Sequence, residues 1–268
     1  MPPRSYTPMK FVPKRLTETA DISRGKREPG DILKMVAGFF LILAAGWVGM
    51  GIFARILAET IPDRWEVALQ PEIGSGTDDP GLERARLIFH RLTDNESLRN
   101  LDYRIGLFPW GEPNAFAVPG GEIGLTPAMI NLIDSELGLA FVIAHEIGHH
   151  EERHILERLG RGILLNLATT LLFRYDGLSS VGSAMEIAEL GFSRRQEREA
   201  DAFALRLVHR KYGSSDSALE FFQKMGDGET HGSWAAYFSS HPMNQVRIGR
   251  LETLGRQLAE EATTPAPR

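Results

Sequence analysis

Residues 35–54 read M-V-A-G-F-F-L-I-L-A-A-G-W-V-G-M-G-I-F-A, without one charge, between Lys34 and Arg55. No other stretch restricts the chain so severely. At about 1.5 Å per residue, twenty residues of helix match a hydrocarbon layer about 30 Å thick. A segment in lipid must also satisfy its own backbone hydrogen bonds, so the run is expected as one spanning helix. Up to Lys34 there are eight Lys and Arg against four Asp and Glu, whereas the whole chain carries −5. That asymmetry expects a cytoplasmic N-terminus and an exported remainder. A cleaved signal peptide is the rival; it fits less well because the basic leader is long and no small-x-small cleavage site follows. The expected organisation is a disordered cytoplasmic leader at 1–31, an anchor at 32–58, a linker at 59–80, a folded domain at 81–259 and a disordered tail at 260–268. In a bacterium this means a single-pass protein of the inner membrane with a periplasmic domain; an organellar inner membrane is the other setting. The net acidic chain is not expected to bind nucleic acid.

The folded domain is organised around residues 137–157, L-G-L-A-F-V-I-A-H-E-I-G-H-H-E-E-R-H-I-L-E. His145, Glu146 and His149 form H-E-x-x-H on a stretch whose apolar positions fit a buried helix. At about 100° per residue the two histidines lie roughly 40° apart and one turn along, so both imidazoles can grip one metal ion. Glu146 falls on the adjoining flank, where a carboxylate outside the ligand set can take a proton from the attacking water. His150 and His154 project roughly 140° and 180° away from His145 and are expected to be solvated, or to lie behind the ligands. Cysteine is absent, which excludes disulfides, thiolate ligands and a Cys nucleophile. A metal site must therefore be built from His and carboxylate. With eight histidines in the chain the motif can also arise by chance, so a second one is needed.

Around this stretch the pattern predicts an α+β domain, mainly helical, with a small sheet beside the H-E-x-x-H helix. An amphipathic helix over 82–92 should turn Leu87, Ile88 and Leu92 inward and leave His90 at the surface. Extended runs follow at 103–108, 114–118 and 122–125, with a turn at Pro119-Gly120-Gly121. Thr126 can cap a helix opened by Pro127. The apolar run at 163–173 is too short to span a bilayer and should be a buried helix or a membrane-facing surface. Residues 177–182 read as a loop.

A third ligand is sought in residues 191–207, G-F-S-R-R-Q-E-R-E-A-D-A-F-A-L-R-L. Ser193 can cap this helix, and Glu197 and Asp201 share a face four residues apart. That spacing suits a ligand followed by a carboxylate that accepts a hydrogen bond from a ligand histidine. With Arg194, Arg195, Arg198 and Glu199 alongside, an ordinary charged helix face remains the other reading.

The sequence resembles the membrane-associated zinc metallopeptidases that include the CAAX prenyl endopeptidase, the HtpX-type bacterial membrane protease and the mitochondrial inner-membrane quality-control protease. The resemblance rests on A-H-E-I-G-H from Ala144, S-R-R-Q-E-R-E-A-D from Ser193, N-A-F-A-V-P-G-G from Asn114 and H-P-x-x-x-x-R-I from His241. It covers nearly the whole exported part. It implies a gluzincin-type domain holding one Zn2+ through His145, His149 and Glu197, with Asp201 orienting a ligand and Glu146 as general base. With one plausible span the chain looks more like the soluble-domain branch of the family, and a CAAX-processing role is not expected.

The activity implied is hydrolysis of internal bonds in unfolded or extended polypeptides, in envelope protein quality control or maturation. A membrane-anchored chaperone or assembly factor with a closed or inactive zinc site is the rival; a structural zinc protein would want four protein ligands and no base. Substrate is expected to add a strand along Asn114, Ala115 and Phe116, or along 122–125. His241 has three readings: donor to the oxyanion, occupant of the fourth metal position, or cap of a helix begun by Pro242. The substrate's identity and the oligomeric state are not legible.

Overall fold

The computed structural model describes residues 29–70, 79–173, 191–214, 234–242 and 245–263. Its elements in order are α1 (Pro29–Thr60), α2 (Asp63–Val67), α3 (Pro80–Thr93), β1 (Arg104–Leu107), β2 (Ala115–Val118), β3 (Glu122–Leu125), α4 (Pro127–Leu132), α5 (Glu136–Glu151), α6 (His154–Phe173), α7 (Arg194–Tyr212), α8 (Ala235–Ser240) and α9 (Gln245–Thr263). The leader before residue 29 and the loop expected at 177–182 lie outside the described residues.

Helix α1 is shared between two units of the chain, Met1–Val48 and Gly49–Arg268. In the first unit it exposes Ile32, Leu33, Phe39, Phe40, Leu41 and Ile42. Within Gly30–Thr60 an 18-residue window reaches a mean hydropathy of 2.1, and the helix is long and apolar enough to cross a membrane.

The second unit is built round α5. Ser135 caps that helix by accepting from the Gly138 amide. Every residue from Gly138 to His150 is then buried, leaving no solvated face. Leu139, Phe141, Val142, Ile143 and Ile147 lie in the main core with residues of α3, the sheet, α7, α8 and α9. Each such side chain contributes about 1.5–3 kcal/mol when fully buried, so the apolar half of α5 fixes the helix that carries the histidines. Helix α7 crosses it where Gly148 meets Ala200. A Cβ at Gly148 would stand 3.1 Å from the Ala200 backbone, so larger side chains would force the two motif-bearing helices apart.

The sheet order is β1-β3-β2, with β1 parallel and β2 antiparallel to β3. Gly120 and Gly121, at φ +97° and +104°, make the tight return from β2 to β3 that residues with a Cβ rarely adopt. Thr126 caps α4 by accepting from the Met129 amide, with Pro127 in the first turn. Ser193 and Gln196 close a capping box on α7.

Three sequence-based expectations are corrected. Leu87 is 64% exposed, because α3 turns Leu82, Ala85, Ile88, Phe89 and Leu92 inward and places Leu87 on the far side. His90 is exposed as expected. The stretch read as a linker is structured over its first part: Glu59 and Thr60 finish α1, and α2 follows. Asp63 and Glu66 of α2 bind Arg99 at 2.7 and 2.6 Å, which locks the exit of α1 onto the domain. At the other end α9 continues to Thr263, four residues into the stretch read as a disordered tail.

Candidate metal centre and active site

His145 and His149 stand one turn apart on α5, with their Nε2 atoms 3.1 Å from each other. Glu197, near the start of α7, brings Oε2 to 3.6 Å from His145 Nε2 and Oε1 to 3.5 Å from His149 Nε2. His241, at the C-terminal end of α8, brings Nδ1 to 3.3 Å from His145 Nε2 and 3.2 Å from Glu197 Oε1. All four side chains are buried, and their donor atoms lie within 4.8 Å of one another. Donors at about 2.0–2.2 Å from one tetrahedral ion stand roughly 3.3–3.6 Å apart. The separations of 3.1–3.6 Å lie at or just below that figure, so the residues present fit a metal ion.

The charges of the pocket agree. Burial opposes a charge on His145, but the carboxylates of Asp201, Glu197 and Glu146 lift it above the ordinary imidazole range. Burial holds His149 well below that range, so its ring is neutral and keeps a lone pair for a metal. Burial also opposes the charge on Glu197, yet the imidazoles of His241, His149 and His145 hold it well below the usual carboxylate range. The centre thus sets an ionised Glu197 beside a neutral His149, two donors that suit a cation.

Glu146 lies beside the ligands, fully buried, and neither carboxylate oxygen has a hydrogen-bond partner among the described residues. His241 Nε2 lies 3.5 Å from its Oε1. A carboxylate so unencumbered can accept a proton from a molecule placed next to the metal position.

Behind the ligands, Asp201, expected there from its spacing to Glu197, is joined by side chains that periodicity alone did not single out. Asp201 Oδ1 lies 3.1 Å from His145 Nδ1, which orients Nε2 towards the centre. Arg247 of α9 holds Asp201 through Nε and Nη2 at 2.8 and 2.7 Å and places Nη1 2.6 Å from Glu197 Oε2. Its signal was present in the H-P-x-x-x-x-R-I stretch, where only the histidine drew attention. His154, expected to be solvated or behind the ligands, is fully buried with Nδ1 3.1 Å from His149 Nδ1 and Nε2 3.0 Å from Glu199. The proton count closes if His149 donates to His154 and His154 donates to Glu199, leaving His149 Nε2 unprotonated. Arg195 holds Glu199 in turn. His150 is buried as well, but it faces Glu66 and Tyr103 rather than the centre.

His154→Ala removes the acceptor of the His149 proton and should weaken metal binding about 10- to 100-fold. His154→Asn, with an oxygen near the Nδ1 position, should retain more. Competition with a chromophoric chelator measures both, and equal affinity in wild type and His154→Ala would reduce the residue to packing.

His241 is held over the centre by a second layer. The Tyr237 ring stacks on it with centroids 4.6 Å apart, and its amide donates to the Tyr237 carbonyl. It therefore ends α8; α9 is described from Gln245, and residues 243–244, which follow Pro242, lie outside the described residues. The Phe192 amide donates to the Ser240 carbonyl at 3.0 Å, and the Phe192 ring stacks on His149 with centroids 3.6 Å apart. Segments 191–193 and 239–241 thus close on the site together.

The sheet narrows the choice of a substrate strand. β3 is paired on both sides and has no edge, so residues 122–125 cannot take an added strand. β2 is an edge strand, and Asn114 sits just before it. Because the Thr126 amide donates to the Asn114 carbonyl, alternation leaves Ala115 and Ala117 facing away from β3. That edge is covered: Ala117 packs with Ile155 and Phe192, and Arg158 reaches the Ala117 carbonyl at 3.5 Å while lying over the Phe192 ring. Burial pulls Arg158 down to about 10.

A family model described as Peptidase family M48 matches residues 83–254, well over half of the chain. The chain is 25% identical over 167 residues to the mitochondrial metalloendopeptidase OMA1 of Saccharomyces cerevisiae, covering 59% of this chain and 48% of that protein. It is 30% identical over 138 residues to its Arabidopsis thaliana counterpart, covering 50% and 28%. It is 24% identical over 188 residues to the beta-barrel assembly-enhancing protease of Yersinia pestis, covering 65% and 39%. The chain thus spans about half or less of the length of these relatives.

Proposed function

The chain belongs to peptidase family M48, and from that premise we propose that it is a membrane-anchored zinc metalloendopeptidase kept in a closed state. The convergence of His145, His149 and Glu197 beside an unencumbered Glu146 carries the reading. The donor set of two imidazoles and a carboxylate, without thiolate, suits zinc. Bound there, zinc would supply a Lewis acid for the scissile carbonyl and the attacking water. Glu146 takes the water proton and hands it to the leaving amine, so no covalent intermediate is needed. Asp201, held by Arg247, and His154, held by Glu199, keep the two imidazoles in the ligating tautomer. Stripping the metal should abolish turnover of an unfolded protein such as casein, and one equivalent of zinc should restore it. Turnover unaffected by a chelator would sink the proposal.

Substrate is an extended polypeptide that pairs with the outward edge of β2 at Asn114, Ala115 and Phe116, reading main chain more than side chains. In the closed state that edge is occupied by Phe192 and Arg158, and the fourth donor position by His241. One movement of segments 191–193 and 239–241 would free both. The rival, an assembly factor whose site never opens, is favoured by the same closed geometry; it predicts no turnover under any condition, with metal bound.

The relatives are named as a mitochondrial metalloendopeptidase and a beta-barrel assembly-enhancing protease, which supports a role in protein quality control or maturation at an envelope or organellar membrane. With α1 as a single span and the basic leader inside, the catalytic unit lies on the extracytoplasmic side. Reporter fusions at Asp79 and at Arg268 should both behave as exported. Cytoplasmic reporter activity at either position would overturn the topology.

A further inference from the structure

Helix α6 leaves the α5–α6 turn at Arg153, which adopts the left-handed φ of 57°. That guanidinium donates to the carbonyls of Ala58 and Ile61 at 3.1 and 2.7 Å. Seven residues on, Gly160 passes Ala54, where an added Cβ would stand 3.7 Å from the Ala54 Cβ. Next, Arg161 Nη2 comes within 2.8 Å of the Cβ position of Gly51. The partners on α1 descend as those on α6 ascend, so α6 runs antiparallel to the Gly49–Thr60 part of α1.

The charge boundaries of the two helices fall at one level. On α1 the charge-free run ends at Ala54, with Arg55 next; on α6 it begins at Gly162, directly after Arg161, and no charge returns until Arg174. Residues 162–173 continue α6 past the level of Gly51, away from the α5–α6 turn. Twelve helical residues extend about 18 Å, roughly half of a hydrocarbon layer about 30 Å thick. Ile163, Leu165 and Leu167 are 48%, 44% and 47% exposed. Successive members of that trio point about 200° apart, so α6 is bare on opposite flanks and projects from the domain. Large apolar side chains left exposed along a projecting helix mark an interaction site.

We propose that residues 162–173 of α6 form a second membrane contact, a non-spanning arm that enters the bilayer to about half its depth. The arm rests on the reading of α1 as an anchor. Two antiparallel helices joined at Gly51, Ala54 and Ala58 would fix the height and tilt of the catalytic unit above the lipid, which a single flexible tether could not do.

The chain has no cysteine, so single cysteines report without background. Full-length Leu165→Cys, Leu167→Cys, Phe40→Cys and Leu87→Cys proteins, labelled with an environment-sensitive dye, are reconstituted into phosphatidylcholine–phosphatidylglycerol vesicles containing acyl-brominated lipid. All four sites are exposed side chains, so folding is not at stake. Quenching at positions 165 and 167 at least half as strong as at 40, and none at 87, is the expected result. Quenching at 40 but not at 165 and 167 overturns the arm and leaves the anchor. Blue-shifted emission at 165 without quenching shows that protein covers the helix, which also overturns it. No quenching at any site removes the anchor and the arm together.

Discussion

Glu146→Gln should abolish peptide-bond hydrolysis while leaving one metal ion bound. Glutamine fills the same fully buried space, and Glu146 stands outside the four-donor set, so the packing of α5 and the convergence of His145, His149 and Glu197 are preserved. What is lost is the proton acceptor, a contribution of about two to four orders of magnitude in turnover. Metal analysis of the purified variant, paired with cleavage of an unfolded protein, separates the two effects. Residual activity within about threefold of wild type would remove Glu146 from the base role. Loss of metal together with activity would instead make it part of the ligand set. In its own host the same variant serves as a trap: one retained membrane protein would indicate a maturation enzyme, and a broad set of misfolded proteins would indicate quality control.

His241→Ala should activate the enzyme. His241 Nδ1 lies at a ligand's distance from both His145 Nε2 and Glu197 Oε1, and its Nε2 faces the base. In the proposed closed state it keeps water and a scissile carbonyl out of the fourth position. A closed form favoured over the open one by about 10:1 to 100:1 holds activity down by the same factor, so turnover should rise about ten- to a hundredfold. Metal affinity should fall, because a fourth donor is removed. Initial rates and zinc titrations on one preparation test both. A loss of activity with metal retained would assign His241 to oxyanion stabilisation, and unchanged rates and affinity would leave it only as the residue that ends α8. Tyr237→Ala offers an independent check: without the stacked ring, His241 should be released in part and activity should rise.

Much of the site was legible because helical periodicity is local. H-E-x-x-H puts His145 and His149 on one face of a helix whatever surrounds it, and E-x-x-A-D does the same for Glu197 and Asp201. Ser193 and Thr126 cap helices through bonds to amides three residues on, and Gly120-Gly121 supplies a turn that most residues resist. Hydropathy alone delimited the twenty residues able to cross a bilayer, and the absence of cysteine left only imidazole and carboxylate as ligands. Even the small residues at the helix crossing, Gly148 and Ala200, stand inside the two motifs.

What the sequence left open depends on neighbours far along the chain. His154 reads as a residue opposite His145, and only the turn at Arg153, held by the end of α1, sets it against His149 and Glu199. Leu87 fits an inward stripe until α3 is docked and the stripe proves to run through Ala85 and Phe89. Which strand keeps an edge is a property of sheet order, and the order β1-β3-β2 denies one to residues 122–125. Asp63 and Glu66 look like linker residues because their partner, Arg99, lies more than thirty positions away. His241 had three readings in sequence; its placement against His145 and Glu197, under Tyr237, comes from packing α8 against α5 and α7. Local spacing determines which side chains share a face of one element, whereas the approach of two elements is set by burial summed over the whole core, which no single stretch encodes.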